Sequence, residues 1–103
     1  MIVTATQIKI TSVMGLIRFI PTVSRVTKQL NDAEGIVFIQ LKGFTTITGW
    51  QTKEHMKAFS QSGAHLEAMK NTKKIGLAKS ITWETDIRPS LKEAKQRLKQ
   101  VSF

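Results

Sequence analysis

A chain of 103 residues suits one domain, expected over 1–103, and 41% hydrophobic with 22% charged residues is the balance of a folded globular protein. Cysteine is absent, which excludes a disulfide scaffold, thiolate zinc and a cysteine nucleophile, and no apolar run approaches the ~20 residues that cross a bilayer. Sixteen Lys+Arg against seven Asp+Glu give a formal charge of +9, but the basic residues are spread from Lys9 to Lys99 and read first as solvated surface.

Ile2 to Ile10 reads as a strand, with Ile2, Thr4, Thr6, Ile8 and Ile10 alternating against Val3, Ala5, Gln7 and Lys9. The first residues carry neither a basic n-region nor a long apolar h-region, so no signal peptide is expected and the cytoplasm is the default location. Ser12 is placed to cap a helix whose apolar residues, Val13, Leu16, Ile17, Ile20, Val23 and Leu30, recur at helical spacing. Pro21 interrupts it, removing one backbone donor and crowding the carbonyl of Ile17, which predicts a kink or a restart. The helix ends before Gly35.

Ile36 to Leu41 is apolar on both faces, Ile36 and Phe38 on one and Val37, Ile39 and Leu41 on the other. Gly43 marks a turn, and Thr45 to Trp50 forms the second arm of a hairpin. Thr52 caps the next helix, which turns Met56 and Phe59 inward. Ser62-Gly63 breaks it, and Ser62 is placed to cap a continuation holding Leu66 and Met69. Ala78 to Glu84 is the last strand, with Lys79, Ile81 and Trp83 on one face. Ser90 and Glu93 have capping-box spacing before a terminal helix striped with Leu91, Ala94, Leu98 and Val101. Its other face carries the densest basic stretch, Lys92, Lys95, Arg97 and Lys99.

The order β-α-β-β-α-β-α is an α+β, ferredoxin-like split βαβ unit with one added helix and an antiparallel sheet. Helices in this arrangement cover one sheet face. Phe38, Trp50 and Trp83 cannot all point at them, so a second copy of the sheet is the expected cover and a homodimer the expected state.

The segment Thr46-Ile47-Thr48-Gly49-Trp50-Gln51-Thr52, running into Lys53-Glu54-His55-Met56-Lys57-Ala58-Phe59, resembles the antibiotic-biosynthesis-monooxygenase-like members of the dimeric α/β-barrel superfamily. Ser62-Gly63-Ala64-His65 and the strand end Trp83-Glu84 are similar to uncharacterised members of that group. The resemblance implies a homodimer whose sheets pack into a barrel, with a pocket between sheet and helices in each subunit. It also implies, for some members, oxidation of aromatic molecules without metal or flavin, so no cofactor is expected. Haem-degrading members keep a first-strand Asn, a Trp in the second helix and a His further along. The matching positions here are Gln7, Phe59 and Met69, none of which carries the family's residue.

His65 is the candidate base. In the first turn of the second helical piece, the helix dipole disfavours the imidazolium and keeps the ring neutral near pH 7. The competing role is a packed histidine bonded to backbone. Trp50, Phe59, Trp83 and Met69 are the candidates to line an apolar or aromatic pocket, against core or dimer-interface roles. His55 reads as solvated. No His or carboxylate spacing suits a metal, and neither a nucleophile elbow nor a phosphate loop is present. The fold is shared with RNA-recognition modules, but Ile36 to Leu41 offers one aromatic, Phe38, and lacks their Arg/Lys-Gly-Phe pattern, so specific nucleic-acid binding is not expected.

Overall fold

The computed structural model describes residues 1–103. Four strands, β1 (Ile2–Ile10), β2 (Ile36–Lys42), β3 (Thr45–Trp50) and β4 (Gly76–Glu84), form one antiparallel sheet in the order β2-β3-β1-β4. Between them lie α1 (Val13–Asn31), α2 (Lys53–Ser60), α3 (Gly63–Lys70) and the single turn α4 (Thr72–Ile75), with α5 (Leu91–Leu98) after the sheet. This is the ferredoxin-like order, with the second helical segment in three pieces and β4 opening two residues earlier than the sequence pattern indicates. No helix is long and apolar enough to cross a membrane.

Local signals act largely as read. Ser12 Oγ accepts from the Gly15 N–H at 3.0 Å, Thr52 Oγ1 from the His55 N–H at 3.1 Å and Ser90 Oγ from the Glu93 N–H at 3.1 Å. Each ties down a donor that has no partner inside its helix. The capping box is only half made, because Glu93 Oε2 turns instead to Arg97 Nε at 3.1 Å. Pro21 does not restart α1, which runs unbroken for 19 residues. Pro21 and Ile17 are both exposed, so solvent can serve the Ile17 carbonyl that loses its donor.

The two sheet faces differ sharply. Val3, Ala5, Ile47 and Phe38 lie on one face and pack with Ala94 and Leu98 of α5 as the buried core, with Ile81, Trp83 and Leu91 around them. Here α5 packs on the sheet face that α1 to α4 leave bare. An amphipathic stripe specifies that a helix is buried but not against what. A β-bulge between Ile36 and Phe38 shifts the register, so Phe38 joins this core while Ile36, expected beside it, pairs with Trp50. Arg97 Cζ sits 4.6 Å from the Trp83 ring centroid, so one member of the basic stretch covers aromatic surface while Lys92, Lys95 and Lys99 are exposed. The opposite face looks toward α1 to α4 and encloses the cavity described next.

Candidate functional site

Strand alternation builds the floor of the cavity. On the face toward α1 to α4, Thr4 stands opposite Thr48 and Thr82, and Thr6 opposite Thr46 and Ser80. Two cross-sheet rows of hydroxyls result. The first row is spoken for within the protein. Thr48 Oγ1 accepts from Trp50 Nε1 at 3.0 Å, and Thr4 Oγ1 lies 2.9 Å from Met56 Sδ and 3.0 Å from Thr82 Oγ1. In the second row, Thr6, Thr46 and Ser80 have no protein hydrogen-bond partner for their hydroxyls and are free to meet a ligand or solvent.

Above this floor lies a cavity of about 360 Å³. Its roof is apolar, with Phe19, Val23 and Val26 from α1, Met56 and Phe59 from α2 and Met69 from α3. That volume is in the range of small-molecule sites, and apolar walls with a few placed polar groups are their usual make-up. Trp50, 1% exposed, forms part of its wall. Its ring centroid is 5.1 Å from that of Phe59, which is in turn 4.9 Å from His65, an aromatic series along the wall.

His65 is held by two contacts made outside its own helix. Its backbone N–H donates to Gln29 Oε1 at 2.8 Å, and its Nδ1 is 3.1 Å from the Ser60 carbonyl oxygen. A carbonyl can only accept, so Nδ1 carries a proton and Nε2 is the ring atom left to accept one. Ser62 does not cap α3 with its side chain as its position suggests; its Oγ donates to the Ala58 carbonyl at 2.8 Å. Gln29, from α1, does that work instead. Its Oε1 holds the third N–H of α3, and its Nε2 donates to the Ser62 carbonyl at 2.9 Å. Gly63 stands at φ +58°, a conformation that favours glycine, and a Cβ there would also crowd the Gln29 amide at 3.1 Å.

Of the expected residues, the structure places His65, Trp50, Phe59 and Met69 along the cavity, Met69 at a 56% exposed position. Trp83 is elsewhere. It shares strand parity with Ile81, which turns both to the α5 side, where its indole Nε1 is buried without a partner. His55 is half-buried, with Nδ1 2.7 Å from Thr52 Oγ1, and does not border the cavity. Gln7 shares the face of Val3 and Ala5, so of the three haem-chemistry positions only Phe59 and Met69 reach the cavity. The residues present do not fit the haem-degrading arrangement. No group of three or more His, Cys, Asp or Glu is placed to hold a metal ion. Gln29 and the second hydroxyl row are the features that the sequence reading missed. The signal for the row is visible in retrospect, since Thr4/Thr6, Thr46/Thr48 and Ser80/Thr82 repeat one i, i+2 hydroxyl pair in three strands.

No protein-family model matches the sequence, and no curated protein matches it. Solved structures do. SnoaB, a cofactor-independent oxygenase from Streptomyces nogalater solved as a point variant, aligns with TM-score 0.68 at 8% identity, over 84% of this chain and 94% of its own. A structure described as an antibiotic biosynthesis monooxygenase gives TM-score 0.72 at 10% identity, over 82% of this chain and 98% of its own. MhuD, solved with two manganese protoporphyrin IX molecules bound per active site, gives TM-score 0.59 at 15% identity, over 87% and 99%. Identities this low establish a shared fold. The chain has the ferredoxin-like α+β fold of the antibiotic-biosynthesis-monooxygenase-like structures.

Proposed function

We propose that this chain binds a small apolar or aromatic molecule between its sheet and helices and oxidises it with O₂ as a cofactor-independent monooxygenase-like protein. The observation that carries the reading is a cavity of about 360 Å³ whose wall holds one histidine with a fixed tautomer. His65 Nε2 takes a proton from an activated C–H of the substrate. The carbanion passes one electron to O₂, and the radical pair joins to form a C–O bond. The imidazolium returns its proton to the peroxide. Loss of the second C–H proton with O–O cleavage then gives a carbonyl and water, so R₂CH₂ + O₂ becomes R₂C=O + H₂O. The free hydroxyls of Thr6, Thr46 and Ser80 are the donors available to an oxyanion on the substrate.

The test is oxygen uptake with an anthrone, whose methylene is acidic, alongside calorimetric binding of the same compound. The unmodified protein binds it and raises oxygen uptake above the buffer rate. His65→Ala keeps binding within a few-fold and loses roughly 100-fold in rate, as removal of a general base does. Absence of both binding and uptake refutes the proposal.

A second reading is a non-catalytic homodimer without ligand. It is favoured by the apolar residues that α1 leaves outside, Val13 at 77%, Ile17 at 57% and Ile20 at 65% exposure. Size-exclusion chromatography with light scattering tests it, and a monomer at micromolar concentration removes it.

A further inference from the structure

Few of the basic side chains have partners, the Arg97–Glu93 contact being the one ion pair. Three of the others converge. Arg18 and Arg25 of α1 and Lys74 of α4 stand around a recess of about 260 Å³, with Pro21, Thr22, Asn71 and Ile75 completing its walls. Arg18, Thr22 and Arg25 are spaced i, i+4, i+7 and form one stripe of α1. No carboxylate lines the recess, and none occurs in the sequence before Asp32. Three cations gathered without a counter-charge raise the local potential and attract an anion. Guanidinium groups also supply paired N–H donors matched to the oxygens of an acid group.

The recess is not isolated. Thr22 and Ile75 line both it and the apolar cavity, so the two spaces share a wall. We infer that the ligand is an amphiphilic anion, an apolar or aromatic body carrying a carboxylate, sulfonate or phosphate. The body lies in the cavity and the acid group in the recess, between Arg18, Arg25 and Lys74. This rests on the cavity being a ligand site, as proposed above, and adds the charge and polarity of what enters it. Three of the sixteen basic residues thereby gain a local purpose beside the cavity.

The test uses two fluorescent probes that differ by one group. N-phenyl-1-naphthylamine is neutral, and 1-anilinonaphthalene-8-sulfonate is the same body with a sulfonate. Charge-assisted hydrogen bonds of ordinary strength predict that the sulfonate binds about tenfold tighter or more at low salt. Arg18→Gln with Arg25→Gln abolishes that preference and leaves the neutral probe unchanged. Lys92→Gln with Lys95→Gln removes the same charge from α5 and leaves both probes unchanged. On the unmodified protein, at ionic strength held constant with chloride, inorganic phosphate weakens the sulfonate and not the neutral probe, which separates a true anion site from a general field. Equal affinity for the two probes, or equal loss in the α5 variant, overturns the inference while leaving the cavity reading intact. Failure of the neutral probe to bind overturns both.

Discussion

Gln29 is the side chain on which the geometry around His65 depends most, and its removal has a calculable effect. Gln29→Ala deletes the acceptor for the His65 N–H at 2.8 Å and the donor to the Ser62 carbonyl at 2.9 Å. The further contact to the Phe59 carbonyl, at 3.3 Å, adds little. Each ordinary hydrogen bond is worth about 1 kcal/mol net, and solvent partly replaces both at this half-exposed site, so the loss is about 1.5 kcal/mol. For a domain of about 100 residues that lowers Tm by roughly 6–12 °C. The stability loss alone does not identify the cap, so the decisive assay is site-resolved hydrogen exchange. The His65 amide loses protection in Gln29→Ala more than the amides of β1 do. Gln29→Glu keeps an acceptor for that amide, favoured at a helix N-terminus, but sets a carboxylate against the Ser62 carbonyl, so it restores His65 protection without restoring full Tm. A Tm within 2 °C of the original and an unchanged His65 amide would refute the capping role.

Further outcomes follow from close contacts. Gly15→Ala improves intrinsic helix propensity by about 1 kcal/mol, yet a Cβ there would overlap the Ile75 carbonyl oxygen, so urea denaturation shows net destabilisation of about 1–3 kcal/mol; a stabilised variant refutes the close packing of α1 on α4. Thr48→Val preserves shape but strands the buried Trp50 Nε1, whose acceptor is Thr48 Oγ1 at 3.0 Å, and costs about 1–3 kcal/mol in thermal unfolding. Leu98→Ala empties part of the core under α5, where Leu98 is 1% exposed, and costs about 2–5 kcal/mol; a loss below 1 kcal/mol means that α5 does not seat on the sheet as described.

Periodicity carried the element order because each period has one physical cause. Strand alternation made β1 readable to its ends, Ile2 and Ile10, and correctly grouped Lys79, Ile81 and Trp83. It could not say which sheet face each group would occupy, and that is where the expectation for Trp83 failed. The bulge before Phe38 reversed the parity of Ile36, and a single extra residue leaves no mark in a run apolar on both faces. At the site, the Ser62-Gly63 break was legible because glycine at positive φ is a local need. The residue that exploits the break was not, since Gln29 reaches His65 across 36 positions. Nothing local distinguishes Gln29 from any other polar side chain on a long helix.

The threonine rows bear on how the cavity meets water. Thr and Val have nearly the same outline, and both suit a strand. A floor of valines facing an apolar roof would dewet, and the helices would gain by settling onto it. Hydroxyls at Thr6, Thr46 and Ser80 can anchor solvent, which keeps a hydrated space between floor and roof tolerable. Any occupant then has to replace those water contacts as well as fill the volume. An apolar body without an oxygen or nitrogen over the second row forfeits part of its affinity, so the floor selects for a heteroatom at that height above the sheet.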